Sequence, residues 1–314
     1  MGGLGAALVS WRAGAACHPP FPWGGFTCSS CGAHQGFTRE GQHEGMNSFE
    51  PYESAGGAGH VRPSWWWTVH FRRNRHREWN IPWDDAALLD AAARGRIAWS
   101  IAEFQRGESS EARCYLALSE AFCARTGDPE FHHTSLLFVH EENEHAALLG
   151  RFMRLAGIPE IGGSWGDRVF RRLRSLGDIG WASRVLMIAE LIAQEYYPAL
   201  RETTGHPVLR RICDKIIADE EAHIRFQVER IVRVEASKSW LAVFVRRVAQ
   251  TVLMAGAAAV VLAGHRRVLG RHPGAWAFLT HVMARNRRAL DRIDLLRRGG
   301  HAAHGISAQR PLPV

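Results

Sequence analysis

The fold is decided by two short stretches, HEENEHAALL at residues 140–149 and ADEEAHIRF at residues 218–226. Each contains a Glu-x-x-His motif, Glu142 with His145 and Glu220 with His223, within an otherwise apolar helical pattern. Side chains three positions apart lie on the same face of a helix, so each pair is expected to point inward. Buried polar groups need partners, and the repeated motif indicates that the two pairs bind something together.

Four segments around these motifs have helical periodicity, with apolar and acidic residues recurring every three or four positions. The inward stripes are Ile97, Ile101, Phe104, Glu108, Glu111, Tyr115, Leu118 and Phe122; Phe138, Glu142, His145, Leu149, Phe152 and Ala156; Ser183, Leu186, Glu190, Ala193 and Tyr197; and Leu209, Cys213, Ile216, Glu220, His223 and Gln227. The connection at 156–180 is long and the other two are short. The sequence therefore predicts an all-α fold, with a ferritin-like four-helix bundle over 81–235.

The two helix pairs are related by an internal repeat. When the Glu-x-x-His motifs are aligned, a glutamate, a tyrosine and a Thr-Gly-x-Pro turn coincide in the two halves. The matching positions are Glu108 with Glu190, Tyr115 with Tyr197, and 126–129 with 204–207. A repeated helical hairpin that packs on itself creates a pseudo-twofold axis, which would bring the two Glu-x-x-His motifs face to face.

Four carboxylates on apolar stripes cannot stay charged without a cation, because removing each from water costs several kcal/mol or more. Two divalent cations would balance the four negative charges, and two imidazoles add neutral nitrogen donors. The six predicted ligands are Glu108, Glu142, His145, Glu190, Glu220 and His223. Oxygen-rich ligation with some imidazole suits iron or manganese better than zinc. We expect two iron ions, with manganese as the alternative.

The repeat also predicts a role for each ligand. Glu142 and Glu220 would bridge the metals, while Glu108 and Glu190 would be terminal ligands and each histidine would cap one metal. Glu195, five positions after Glu190, lies well round the helix and is excluded as a ligand.

Five further residues are candidates near the metals. Glu141 and Asp219 directly precede the bridging glutamates and are predicted to accept the second N–H of the histidine from the opposite half, the alternative being solvated acids. Glu111 would bind one metal, shift on redox change or relay protons. Tyr115 and Tyr197 are the candidate catalytic residues, which would hydrogen-bond carboxylates or pass electrons; buried tyrosines with satisfied hydroxyls are the alternative.

Three of these features resemble the rubrerythrin and ferritin-like superfamily: GESSEARCY at 107–115, EENEHA at 141–146, and Glu220 with His223. The resemblance covers about half of the chain and implies a carboxylate-bridged di-iron oxidoreductase that activates O₂ or peroxide. Rubrerythrins also carry a four-cysteine rubredoxin domain, whereas no cysteine follows residue 235 here. An external electron donor protein is therefore expected. The alternatives are an iron-binding or ferroxidase protein without an organic substrate, and metals that only stabilise the fold.

The first 80 residues are rich in Gly, Pro, Ser and His and predict a disordered, low-complexity extension. Cys28 and Cys31 form a CxxC pair, but a second close pair of zinc ligands is missing. The start of the chain does not match a targeting signal, and the scattered cysteines favour a cytoplasmic protein.

Residues 236–314 predict a basic helical region. From Lys238 onward the chain has 13 Lys and Arg residues against two acidic residues. The uncharged run at 248–264 has arginines at both ends and predicts a helix packed on the bundle, with a membrane-surface helix or a membrane span as alternatives. An anionic membrane surface is accordingly a candidate partner of the tail, and a second copy in a homodimer is a candidate partner of the chain; no specific nucleic acid is expected.

Overall fold

The structure is a computed structural model that describes residues 60–85, 89–109, 112–270 and 274–306, with side chains up to residue 299. Within these ranges the regular structure is entirely helical, so the predicted all-α class is confirmed there. Apart from a short 3-10 helix at Trp83–Asp85, the elements are α1 (Ser64–Arg75), α2 (Ala91–Glu108), α3 (Arg113–Thr126), α4 (Pro129–Leu155), α5 (Trp165–Arg174), α6 (Ile179–Thr204), α7 (Pro207–Val234), α8 (Trp240–Leu269) and α9 (Ala275–Ile306).

Four helical columns surround the candidate metal ligands. The column of α2 and α3 packs against α4 and α6, and α7 packs against both α4 and α6, which closes the ring. The turns before α4 and α7 have the same design: Gly127 and Gly205 take φ of 69° and 65° at the preceding helix ends. A proline then opens the next helix, where its missing N–H costs no hydrogen bond.

The first column is not the single continuous helix that its stripe predicts. α2 ends at Glu108 and α3 begins at Arg113. Gly107 and the following serines have weak helix propensity, and α2 ends there, with the Ser109 hydroxyl donating a hydrogen bond to the Arg106 carbonyl. The break therefore falls directly after a predicted metal ligand.

The predicted disordered extension over 1–80 is wrong for its last part, because residues 64–75 form α1. This helix packs along α4, with Trp67 and Phe71 almost fully buried. The Trp67 indole donates a hydrogen bond to Glu229 of α7. A short aromatic-rich segment without sustained helical periodicity can thus form a helix when the rest of the protein buries its aromatic side chains. Residues 1–59, including the CxxC pair, lie outside the described residues.

Replacing Phe71 with alanine should test how firmly α1 is docked. The Phe71 ring packs edge-on against Phe226, with centroids 5.1 Å apart, and lies 6.4 Å from Phe138. Removing a buried phenylalanine leaves a cavity, so we expect a loss of about 3–5 kcal/mol in the free energy of unfolding. Trp65→Ala, on the exposed side of α1, should cost under about 1 kcal/mol. Chemical denaturation measures both; equal losses would contradict the docking of α1 through Phe71.

The helix α6 is buried along nearly its whole length because α5, α8 and α9 cover the side turned away from the metal ligands. A buried ion pair fixes α8 there: Arg184 of α6 donates to Glu235 at 2.7 and 3.0 Å and to Gln250 of α8 at 2.7 Å. Gln250 in turn donates to Asn286 of α9. In the described part of the C-terminal region, α8 and α9 thus pack on the bundle.

The outer side of α8 is exposed and apolar. By length and composition alone α8 is long and apolar enough to cross a membrane, and 22% of its most apolar window is buried. The exposed large side chains of α8 are Trp240, Leu241, Phe244, Val245, Val248, Val252 and Val260. The neighbouring Arg246 and Arg247 are not free cations, since they pair with acidic residues of the α5–α6 connection, the α7–α8 connection and α9.

Candidate metal centre

The six predicted ligands meet between two apolar clusters. Along α4, Phe138 belongs to one cluster and Leu149 to the other, and the Glu-x-x-His motif lies between them. Ile216 and Phe226 flank the second motif on α7 in the same way. This placement removes the ligands from water on both sides. The polar groups can therefore be satisfied only by one another, by neighbouring helices or by a bound ion.

Two overlapping groups of side chains could hold a metal ion. The first is Glu108, Glu142, His145 and Glu220, and the second is Glu142, Glu190, Glu220 and His223. In each group the potential ligand atoms lie within 4.8 Å of one another. Glu142 and Glu220 belong to both groups, so the structure gives these two carboxylates the shared position and gives each group one histidine and one further glutamate.

Both histidines are held through the same ring nitrogen, by acids from the opposite half. His145 Nε2 lies 2.9 Å from Asp219 Oδ2, and His223 Nε2 lies 2.7 Å from Glu141 Oε2. These contacts fix the two imidazoles and leave each Nδ1 turned towards the carboxylates. His145 Nδ1 is 3.8 Å from both Glu108 and Glu220, while His223 Nδ1 is 2.9 Å from Glu142.

Two residues that sequence reasoning missed complete the surroundings of these acids. Asn74 of α1 donates from its side-chain amide to both Glu141 and Asp219, the latter at 2.7 Å. Lys215 donates to Asp219 at 2.6 Å. The lysine could have been found from its position four residues before Asp219 on one helix face. Asn74 gave no sequence signal, because it lies in a segment without sustained periodicity.

The two tyrosines differ in what they contact. The Tyr197 hydroxyl donates to Glu108, which is the predicted terminal ligand of the opposite half. The Tyr115 hydroxyl is buried and makes no hydrogen bond within the described residues. Gln227 donates to Glu190 at 3.3 Å, so that glutamate has an amide neighbour where Glu108 has a phenol. The site is therefore only approximately symmetric.

Of the two other acids considered in the sequence, Glu111 falls outside the described residues. Glu195, excluded as a ligand, is directed to α9, where it accepts hydrogen bonds from Arg285 at 2.5 Å and from His281 at 3.1 Å.

Without a cation, the buried carboxylates of Glu142, Glu190 and Glu220 disfavour their charged forms. Burial, together with the charge of Glu220, raises the pKa of Glu142 to about 8, and burial also raises the pKa values of Glu190 and Glu220. Burial opposes protonation of His145, but its hydrogen bonds to acids raise the pKa to about 10. Protons on these groups thus take the place that metal cations would occupy, and metal binding would release them.

No family model matches this chain, and comparisons with curated proteins and with solved structures find no match either. The functional conclusion therefore depends on the site itself. What the site shows is a buried group of glutamates and histidines that could hold metal.

Proposed function

We propose that this chain is a carboxylate-bridged di-iron protein of ferritin-like architecture, with manganese as the alternative metal, that acts as an oxidoreductase on O₂ or peroxide. The observation that carries the proposal is the pair of four-residue groups that share Glu142 and Glu220. Two carboxylates common to two groups suit a pair of ions bridged by them. In the ferritin-like di-iron proteins the ligands come from inward-facing residues of four helices in this way.

The donor atoms fit such a metal pair. Five buried side-chain atoms of the cluster make no well-formed hydrogen bond within the described residues: Glu142 Oε1, His145 Nδ1, Glu190 Oε2, Glu220 Oε2 and His223 Nδ1. His223 Nδ1 lies 2.9 Å from Glu142 Oε1 and 3.4 Å from Glu220 Oε2, but one N–H cannot satisfy both carboxylates. Because a buried polar atom left unsatisfied costs about 1–3 kcal/mol, the remaining atoms point to a bound partner. Four carboxylates supply the charge for two divalent ions, and hard oxygen donors with imidazole suit iron or manganese.

When bound, the two metals would supply the redox chemistry that cleaves the O–O bond. The protein residues provide geometry and a water-poor setting. Tyr197 orients Glu108 and can exchange a proton with it, while Asp219 and Glu141 hold the histidine rings. The Glu142 side chain is 20% exposed, more than Glu108, Glu220 or either histidine, so small molecules would reach the metals beside it.

Turnover separates the oxidoreductase from an iron-handling protein. With a chemical reductant in place of the external electron donor protein, an oxidoreductase should keep consuming O₂ over many equivalents per site. An iron-handling or ferroxidase protein should consume O₂ only in proportion to added Fe(II) and then stop. Metals that merely stabilise the fold would give neither response. Glu108→Ala would then unfold the protein, whereas the proposal expects a folded, inactive variant.

We further propose that the exposed apolar side of α8 rests on an anionic membrane surface. Trp240 is 78% exposed and Phe244 55%, and the chain carries a net charge of +8. A helix that is packed on one side and apolar on the other can lie in the membrane interface without spanning it.

Flotation with anionic phospholipid vesicles tests this placement. Because burying each large apolar side chain contributes about 2 kcal/mol, replacing both Leu241 and Phe244 with serine should weaken vesicle binding by about 100-fold or more. Leu176→Ser, an exposed leucine outside α8, is the matched control and should float like wild type. The proposed binding of α8 to a membrane surface would be contradicted by wild-type protein that does not float. It would also be contradicted if Leu176→Ser reduced vesicle binding as much as the replacements in α8.

A further inference from the structure

One residue joins the two halves of the site on its outer side. Asn74, near the end of α1, donates one side-chain N–H to Glu141 of α4 and the other to Asp219 of α7. These are the two carboxylates that hold His223 and His145. A carboxamide has two N–H donors on one nitrogen. Asn74 can therefore satisfy one acid from each half at once.

The two acids do not depend on Asn74 equally. Asp219 also accepts a hydrogen bond from Lys215, four residues earlier on α7. The repeat places Leu137 at the corresponding position of α4, which offers Glu141 no such donor. Apart from His223, Asn74 is the donor that the described residues provide to Glu141. The orientation of Glu141, and through it the His223 ring, thus rests on α1.

Resting on the proposed metal pair, we infer that Asn74 is a positioning residue of the metal centre and that it acts mainly on the metal of the Glu142, Glu190, Glu220 and His223 group. In that case α1 contributes to metal binding and does not only pack against the bundle. Groups that orient metal-bound histidines typically change metal affinity 10- to 100-fold when they are removed. We therefore expect the two metal sites to have similar affinities in the wild-type protein and different affinities when Asn74 is replaced.

The docking of α1 does not depend on Asn74 alone, which allows positioning to be told from stability. Ser64 donates to Asp128 at 2.7 Å, Thr68 donates to Glu130, and Phe71 is buried among aromatic rings. Thr68→Val removes a docking hydrogen bond of α1 without touching the acids beside the histidines. It is the matched control for Asn74→Ala.

The test is anaerobic titration of metal-free protein with Co²⁺, followed by its visible absorption. Wild type and Thr68→Val should bind two ions with similar curves. Asn74→Ala should bind one ion nearly as wild type and the other about tenfold more weakly, with an altered absorption band at saturation. Asn74→Asp keeps the shape of the side chain and removes both N–H donors, so the two Co²⁺ affinities should differ even more in this variant. It replaces Asn74→Ala in the test if the alanine variant does not fold.

Three results overturn the inference. If both Asn74 variants bind two Co²⁺ ions with wild-type affinity and absorption, Asn74 does not position the site. If Thr68→Val weakens Co²⁺ binding as much as Asn74→Ala does, the loss of affinity comes from weaker docking of α1 and not from Asn74 itself. If wild type binds no Co²⁺, iron or manganese, the proposed metal pair itself fails, and this inference fails with it.

Discussion

Glu220→Gln should reduce the metal content from two ions per chain to fewer than one, and oxygen consumption should fall by more than about 100-fold. Glu220 belongs to both groups that could hold a metal ion, and its side chain is buried. Glutamine keeps the shape but removes the negative charge and one strong donor oxygen, so both ions lose a ligand. The expected loss exceeds the 10- to 100-fold typical of residues that only orient ligands.

The same substitution should stabilise the metal-free protein. Burial raises the pKa of Glu220, which means that the folded protein without metal disfavours its charged form. A neutral amide removes that penalty.

Glu221→Gln makes the identical chemical change at the next position, where the side chain is exposed and pairs with Arg225. This control should keep both ions. A Glu220→Gln protein with normal metal content would contradict the shared position of this carboxylate.

The metal-free protein should lose stability as the pH rises from about 5 to 9. The pKa of Glu142 in the folded protein is about 8, above its ordinary value, so its contribution is fully present below about pH 4.5 and is lost as the pH rises through 8. His145, with a folded pKa of about 10, contributes fully below about pH 6.5 and loses its contribution as the pH rises through 10. Both groups therefore act in the same direction.

Metal should reverse this trend, because its ligands must release their protons and metal affinity therefore grows with pH. Thermal unfolding with chelator, from pH 5.5 to 8.5, should show a fall of about 2 kcal/mol or more, or roughly 4 °C or more in Tm. With Mn²⁺ or Co²⁺ in excess the Tm should hold or rise over the same range. The acids with lowered pKa values, Glu108, Glu141 and Asp219, titrate below this window. Parallel curves with and without metal would contradict the account.

The inward residues of the bundle could be predicted because periodicity and repetition act together. Glu142 and Glu220 lie at equal distances from the two Thr-Gly-x-Pro turns, and the structure brings their motifs together. The same symmetry led to the expected pairing of Glu141 with His223, and that hydrogen bond is present in the structure. Local spacing on a helix determines which side chains share a face, and a repeat determines which faces meet.

The contribution of α1 could not be predicted, for a physical reason. A twelve-residue helix is marginal by itself and forms because tertiary contacts bury Trp67 and Phe71. Those contacts come from residues more than 60 positions away in sequence. Asn74 has a partner on each of two helices, and neither is visible until the helices are packed.

The helix break after Glu108 was missed for a different reason. The stripe of inward residues keeps its period across the break, so periodicity predicts one helix where the structure has α2 and α3. The local signal against one continuous helix is the low helix propensity of Gly107, Ser109 and Ser110, which a period of inward residues does not register. Glu111 depends on this region, and its role as a fifth acidic ligand stays a prediction.

Metal stoichiometry most directly tests the central claim that two metals share Glu142 and Glu220. Protein purified without chelator would be analysed for metal, then loaded anaerobically with Fe(II) and exposed to O₂ in a spectrophotometer. We expect about two iron ions per chain and a near-ultraviolet band from a pair of bridged ferric ions. Less than one metal ion per chain after loading, with no spectral response to O₂, would contradict it.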